Sequence, residues 1–263
     1  MIDEHLIPGD DWGVYPYLFN FFGIKIPSYG TFMLLAIVVG SYIYYLEARK
    51  NKSANENTFY IALAAIVGGA IGAKLPIWIL NYKFILANIT NPMVILSGRT
   101  ITGGLIGGMI GVFIAKKHLK LKERKGNLFA PAIALGVAIG RIGCFLRGCC
   151  YGKPTTLPWG VDFGDKILRH PTQIYESIFM LIMFFYLLYA KRQNPKPGEL
   201  FRQLMISYFT FRFFIEFIRI EKVILFGLTF FQIFSLICVI YFVIFFNREK
   251  EIFRNCLKLI KKY

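Results

Sequence analysis

Residues 57–80 read NTFYIALAAIVGGAIGAKLPIWIL, a run in which Lys74 is the only charged side chain. An α-helix rises 1.5 Å per residue, so about 20 apolar residues cross the roughly 30 Å hydrocarbon core of a bilayer. This stretch therefore predicts a transmembrane helix.

Six other stretches share this length and apolar character. The predicted spans are residues 28–46, 57–80, 98–115, 127–146, 174–190, 203–219 and 225–246. The whole chain has 263 residues, of which 56% are hydrophobic and 17% charged. Soluble domains are about a quarter charged and less than half apolar, so the composition argues against a soluble enzyme and a disordered chain. The expected fold class is all-α, a polytopic membrane protein of about seven transmembrane helices.

The basic residues predict the orientation of these helices. Lys and Arg are concentrated in four segments that alternate with less basic ones, namely residues 47–56, 116–125, 191–202 and the tail from 247. Cytoplasmic loops carry such an excess, so we expect the N-terminus outside and the C-terminus in the cytoplasm. The net charge of +16 is then explained by topology, and no nucleic-acid partner is expected.

We expect one membrane domain over residues 1–263. Residues 1–27 form a periplasmic or interfacial segment, with aromatic side chains suited to the headgroup zone. Residues 28–246 form the helical core, and residues 247–263 form a basic cytoplasmic tail.

Glycines recur at helical spacing in two predicted spans. Gly103, Gly107 and Gly111 lie on one face of the third, and GGAIGA at 68–73 lies in the second. Small residues four apart let helix backbones approach closely in lipid. The glycines either pack helices in this way or also make room for a lipid headgroup.

Several ionisable residues lie inside predicted spans, where charge is costly and marks a functional candidate. Arg141 ends the fourth span. Arg212, Glu216 and Arg219 share one face of the sixth, because they are four and three residues apart. They form either an internal clamp between helices or fixed positive charge for an anionic headgroup, which a planar guanidinium holds through paired hydrogen bonds.

Polar residues also open the fifth span, which begins RHPTQIYE at 169–176. Pro171 and Thr172 suit a helix start. Gln173 and Glu176 lie in the first turn, where backbone N–H groups attract anions. His170 is either structural or a functional group of this cluster.

Three of the five cysteines lie in GRIGCFLRGCCYG, residues 140–152. Three interpretations are open: a disulfide from Cys144 to Cys149 or Cys150, free thiols packed in the core, or a reactive thiol whose pKa is lowered by Arg141 and Arg147. A C-x4-C-C run fits zinc spacing poorly, so no metal is expected.

These motifs together resemble the prolipoprotein diacylglyceryl transferase family. The matching segments, in chain order, are Tyr29-Gly30, GGLIG at 103–107, GRIG at 140–143 with Gly152, RHPTQIYE at 169–176, Tyr208 with Arg212, Glu216, Phe217 and Arg219, and FQIFS at 231–235 with Gln232.

Four positions depart from the family pattern. Thr102 stands where the family has His, and Cys144, Arg147 and Cys149 stand where its signature has Asn, Asn and Glu. The arginines and Tyr208 are retained.

The resemblance implies a multi-pass enzyme of the bacterial inner membrane. Its donor would be phosphatidylglycerol, its acceptor the lipobox cysteine in the signal-peptide region of a preprolipoprotein, and it would need no cofactor. The alternatives are a related enzyme that uses another acceptor, and a non-enzymatic phospholipid-binding protein.

The resemblance also implies roles for individual residues. The catalytic residues would be Arg212, His170 and Tyr208, with His170 replacing the missing family His as the base for the acceptor thiol. The phospholipid would be bound by Arg141, Tyr29, Gly152, Gly103 and Gly104. Supporting polar residues would be Glu216, Arg219, Gln173, Tyr175 and Glu176.

Overall fold

The computed structural model describes residues 12–245, apart from residues 22, 54, 89, 91–97 and 122–123. The described chain is mostly helical. Its α-helices are α1 Ser28–Lys50, α2 Glu56–Leu80, α3 Tyr82–Ala87, α4 Ile101–His118, α5 Gly126–Arg147, α6 Thr172–Lys191, α7 Glu199–Ile215 and α8 Phe230–Ile240. A 3-10 turn, Glu216–Ile218, follows α7, and a π turn, Tyr241–Phe245, follows α8.

Three small antiparallel sheets of two strands each accompany the helices. The strands are β1 Tyr17–Phe21 with β2 Ile24–Pro27, β3 Val161–Asp162 with β4 Leu168–Arg169, and β5 Val223–Leu225 with β6 Leu228–Thr229. All three lie in connections or before α1, so they change the loops and leave the helical core as expected.

Four of the described helices are long and apolar enough to cross a membrane, namely α1, α2, α5 and α6. Large apolar side chains are exposed along their outer faces, such as Leu34 and Val38 on α1 and Ile182 and Phe185 on α6. In water such a surface would be an aggregation hazard, whereas lipid covers it at no cost. The protein is therefore a membrane protein.

The two predicted spans at the C-terminal end differ from the helices observed, because α7 has the expected length but lies nearer the N-terminus, and α8 is shorter. The sixth, expected over 203–219, ends at Ile215, and the seventh, expected from 225, begins at Phe230. A β-hairpin occupies the residues between them, because aromatic and aliphatic residues there favour strand as well as helix.

Helices α2 and α4 meet through their glycines. A Cβ atom added at Gly72 would lie 2.5 Å from the Gly103 carbonyl oxygen and 2.6 Å from the Gly107 Cα. Backbones this close leave no space for any side chain, so dispersion contacts and not side-chain interlocking hold the pair together.

The main core is formed by α5, α6, α7 and α8. Small residues of α5, Ala130, Ala134 and Ala138, pack against larger ones such as Leu204 of α7 and Leu187 of α6. Because α5 is so lined with alanine, α6 and α7 approach it closely. This approach brings the ends of α5, α6 and α7 together at the site described below.

One end of the bundle is fixed by polar contacts between helix ends. Lys191, at the end of α6, forms an ion pair with Glu47 of α1. Lys125 donates to the Thr58 hydroxyl of α2 at 2.8 Å, and the Asn127 side chain accepts from the Leu200 backbone N–H of α7. The C-termini of α1 and α6 thus share an end with the N-termini of α2, α5 and α7.

Candidate functional site

Glu176 of α6 is the centre of a buried ionic cluster at the opposite end of the bundle. Its Oε2 atom lies 2.6 Å from Nη2 of Arg141 and 3.7 Å from Nη1 of Arg212. The Tyr208 hydroxyl donates to its Oε1 atom at 3.0 Å. Only 1% of Glu176 is exposed, so two helices, α5 and α7, direct three polar side chains at one carboxylate in a nearly dry interior.

A second carboxylate extends the cluster. Glu216 Oε2 lies 2.9 Å from Arg212 Nη2 and 3.6 Å from Arg219 Nε. The 3-10 turn at 216–218 tightens the chain after α7, and Arg219 still faces Glu216, as the spacing predicted. Sequence reasoning thus found this group, although Arg219 lies beyond the helix that was expected to carry it.

Among the described residues, several polar atoms of the cluster are buried without a hydrogen-bond partner, including both carboxylate oxygens of Glu216. Within the described part of the chain, Nε of Arg141, Nε of Arg219 and Nη1 of Arg212 are buried without a hydrogen-bond partner. A buried donor left unpaired costs about 1–3 kcal/mol, so it is usually explained by a ligand, water or function. Three such donors beside one another suit an anion with several oxygens.

The Cys149–Cys150 turn is attached to this cluster through its backbone. The Gln173 amide donates to the Cys149 carbonyl at 2.6 Å. The Cys150 carbonyl accepts from the Thr172 hydroxyl at 2.7 Å and from Nη1 of Arg219 at 2.9 Å. The helix begins at Thr172, as the sequence predicted, and the Thr172 hydroxyl holds the cysteine turn.

The cysteines themselves are free thiols. Cys144 and Cys149 are buried and Cys150 is partly exposed. The disulfide from Cys144 to Cys149 or Cys150 is not formed, which leaves the free-thiol interpretations of the sequence. Among the described residues no group of His, Cys, Asp or Glu side chains could hold a metal ion.

His170 is held in a separate contact. Its Nδ1 atom lies 3.3 Å from the Tyr175 hydroxyl, which also accepts from the Trp159 indole N–H at 2.8 Å. Trp159 and Tyr175 line an open apolar groove of about 420 Å³, together with Phe145 and Ile178. The structure thus groups His170 with Tyr175 and not with the two carboxylates.

Gly152 connects the segment that carries His170 with the segment that carries Arg219. Its N–H donates to the His170 carbonyl at 2.9 Å, and the residue forms a β-bridge with Arg219. An added Cβ would lie 2.7 Å from the Ile218 carbonyl oxygen and 2.8 Å from the His170 Cβ. Glycine is therefore required here by the close passage of two chain segments.

Tyr29, at the start of α1, faces the cysteines from the other side. The Arg99 guanidinium lies over its ring, 5.9 Å from the centroid, and a Cβ added at Gly143, the residue before Cys144, would lie 3.5 Å from the Tyr29 Cα. Sequence reasoning missed Arg99, which it counted only as a loop charge. Arg99 lies two residues before α4, and this position was the available signal, because residues just before a helix lie at the same end of the bundle as the helix start.

The fold and this geometry can be compared with known proteins. A family model described as prolipoprotein diacylglyceryl transferase matches residues 16–248. The chain belongs to the prolipoprotein diacylglyceryl transferase family. The resemblance inferred from the motifs is confirmed.

Curated relatives with the name phosphatidylglycerol–prolipoprotein diacylglyceryl transferase support this assignment. The protein of Clostridium tetani is 39% identical over 214 residues, which cover 78% of this chain and 85% of that protein. The Finegoldia magna protein is 33% identical and covers 84% of this chain and 90% of its own length. The protein of Dehalococcoides mccartyi strain 195 is 31% identical, with 91% and 97% covered.

The glycines and threonine that correspond to the diacylglyceryl transferase His-Gly-Gly segment lie in the first turn of α4. Thr102 and Gly103 are buried there. The Gly72 carbonyl and Pro76 of α2 occupy the space that a side chain at position 103 would need. A Cβ added at Gly104 would have only ordinary contacts, at 3.5 Å or more. Helix packing therefore accounts for Gly103.

Proposed function

We propose that this protein transfers a diacylglyceryl group from phosphatidylglycerol to the cysteine thiol of a prolipoprotein. The observation that carries the proposal is the set of unpartnered guanidinium donors around Glu176 and Glu216, in a chain of the diacylglyceryl transferase family. A phosphodiester is an anion with two free oxygens, and arginine binds such groups through two hydrogen bonds at once.

In the proposed reaction the lipid phosphate accepts hydrogen bonds from Arg141 and Arg212. The acceptor thiolate attacks the glyceryl carbon that carries the phosphate, a C–S bond forms, and the C–O bond breaks. Glycerol phosphate leaves with the bonding electron pair. Its extra negative charge develops beside guanidinium groups that are already in place, which is where fixed donors lower a barrier most.

Glu176 and Tyr208 would keep those guanidinium groups in position before the lipid arrives. The carboxylate holds Arg141 and Arg212 together, and the Tyr208 hydroxyl occupies its second oxygen. Tyr29, Gly152, Gln173, Tyr175 and Arg219 would complete the wall of the site. His170, on the groove side, would contact the acceptor peptide or the donor's glycerol.

We further propose seven spans with the N-terminus outside and the C-terminus in the cytoplasm of the bacterial inner membrane. The alternating basic segments support this orientation. The contacts at the ends of the helices support it too, because α1 and α6 run opposite to α2, α5 and α7. The ionic cluster would then lie near the outer surface, where prolipoproteins emerge.

The test is mass spectrometry of a lipobox peptide incubated with the purified protein and phosphatidylglycerol. We expect the peptide to gain one diacylglyceryl group at its cysteine, and free glycerol phosphate to appear in equal amount. A peptide with serine in place of that cysteine should remain unmodified. Phosphatidylglycerol binding without any covalent product would contradict the proposal and favour a lipid-binding protein.

A further inference from the structure

Besides its arginines, the ionic cluster contains buried oxygen atoms that can accept a hydrogen bond. Within the part of the chain that the structure describes, Oε1 of Gln173 and both carboxylate oxygens of Glu216 are buried without a hydrogen-bond partner. Both side chains are almost completely buried. The oxygens of a phosphodiester anion carry no hydrogen, so they can pair with the arginines but not with these acceptors. A ligand that satisfies the whole cluster therefore needs hydroxyl or N–H donors as well as anionic oxygens.

The orientation of the Gln173 amide is fixed by its neighbour in the cysteine turn. Its nitrogen donates to the Cys149 carbonyl at 2.6 Å, and a carbonyl oxygen can only accept. Turning the amide over would place two acceptor oxygens against each other and lose this hydrogen bond. The unpartnered atom of Gln173 is therefore its oxygen, directed away from the Cys149 carbonyl.

The two acceptors belong to the same site as the arginines. Gln173 lies one turn of α6 before Glu176, and residues three apart share a helix face. The Cys150 carbonyl, next to the one that Gln173 holds, accepts from Nη1 of Arg219. Nε of Arg219 in turn lies 3.6 Å from Glu216 Oε2. One arginine thus connects the turn that Gln173 holds with the second carboxylate.

We propose that Gln173 and Glu216 bind the hydroxyl groups of the donor lipid's terminal glycerol, and that they select phosphatidylglycerol in this way. The inference rests on the proposed function. One hydroxyl donates to Gln173 Oε1 and the other to the Glu216 carboxylate, while the phosphate accepts from the arginines. A headgroup without hydroxyls leaves the buried acceptors unpaired, and sites of this kind reject such analogues strongly. Gln173 is then a specificity-determining residue, because it contacts the headgroup and none of the bonds that form or break.

The test compares phosphatidylglycerol with phosphatidylpropanol, whose headgroup has the same number of carbons and no hydroxyl. Both lipids offer the same phosphodiester and the same carbon to the acceptor thiol. The full-length protein should use phosphatidylglycerol with a kcat/KM at least about a hundredfold higher. Gln173→Met keeps the length of the side chain without its acceptor and should lower this ratio about tenfold. The matched control is Gln203→Met, which lies on α7 beside Glu199 and should keep the wild-type ratio.

The ratio of the two lipids separates headgroup recognition from a structural role. Gln173→Met also removes the donor to the Cys149 carbonyl, but a loosened turn slows transfer from both lipids alike and leaves the ratio unchanged. The inference is overturned by equal use of the two lipids in the wild type. It is also overturned by an unchanged ratio in Gln173→Met, or by the same fall in Gln203→Met.

Lipid binding gives a second readout that does not depend on transfer. In detergent micelles, phosphatidylglycerol should raise the Tm of the protein more than phosphatidylpropanol does, and Gln173→Met should erase this difference. The same difference in a protein that modifies no lipobox peptide would refute the proposed function but support the glycerol site. Transfer from phosphatidylglycerol with no difference between the lipids in either readout would refute the glycerol site alone.

Discussion

Glu176 touches three polar side chains while 1% of its surface is exposed, so its charge is the one on which the cluster most depends. Sequence reasoning found the residue but placed it in a supporting role at the start of α6. A carboxylate near the start of a helix has many possible partners. Which of them it meets depends on the approach of α5 and α7, and the alanines of α5 decide that approach.

We expect Glu176→Gln to lower the free energy of unfolding by about 3–5 kcal/mol. The amide keeps the size of the side chain but leaves Arg141 and Arg212 without their carboxylate, and breaking a buried pair costs about that much. The control is Glu199→Gln, which breaks the more exposed pair with Arg202 and should cost less than about 1 kcal/mol. Unfolding in detergent micelles measures both. Equal losses of unfolding free energy in the two variants would show that the buried carboxylate stabilises the fold no more than the exposed one.

Arg212→Ala should reduce transfer at least about a hundredfold, because it deletes one of the donors directed at the leaving phosphate. The protein should still insert and elute as a folded species on size exclusion. Arg212→Lys keeps the charge but loses the planar fork, so we expect partial activity between the two. Normal turnover in Arg212→Ala would remove the phosphate-binding argument.

At the scale of elements, substitutions at two glycines of α4 distinguish a role in helix packing from a role in ligand binding. Gly107→Ala would place its Cβ against the Gly72 backbone, and overpacking of this kind costs about 1–3 kcal/mol. Gly104→Ala, three residues earlier, meets only ordinary contacts and should leave stability unchanged or slightly higher. Thermal unfolding compares the two. If Gly104→Ala keeps its stability but loses transfer, Gly104 has the lipid-binding role that the resemblance implied.

The region after α7 shows what the sequence could and could not predict. Residues 203–219 and 225–246 are each long and apolar enough to suggest an uninterrupted helix. The local signals for a break were nonetheless present. Phe226 and Gly227 both have positive φ in a two-residue hairpin turn, and Thr229 with Gln232 forms a capping box at the start of α8.

The sequence predicted which residues belong to the site better than it predicted which contacts they make. Charges inside apolar runs identified Arg141, Arg212, Glu216 and Arg219, because burial of a charge is costly wherever it occurs. The cysteine run could not be resolved in the same way. Its spacing permits a disulfide or free thiols, and the structure has all three as free thiols.

At the scale of the whole molecule, the two ends of the bundle differ in chemistry. One end holds ion pairs and caps between helix termini, such as Glu47 with Lys191. The other end holds the buried arginines and the thiols. If the basic segments face the cytoplasm as proposed, a phospholipid of the outer leaflet can reach the arginines with its headgroup, while its acyl chains stay among the exposed apolar faces of the helices.

A membrane-impermeant maleimide added to intact spheroplasts should therefore label Cys150, which is partly exposed and lies in the proposed outer connection between α5 and α6. Cys149 should label more slowly, because it is buried.

The matched control carries Gln193→Cys in a Cys150→Ser background, where the new thiol lies in the exposed turn between α6 and α7 at the opposite end of the bundle. It should react only after the membrane is opened. Because α6 separates the two positions, the pair reports the direction in which this helix crosses. Labelling of Gln193→Cys from outside, with Cys150 protected, would invert the proposed topology and move the site to the cytoplasmic leaflet.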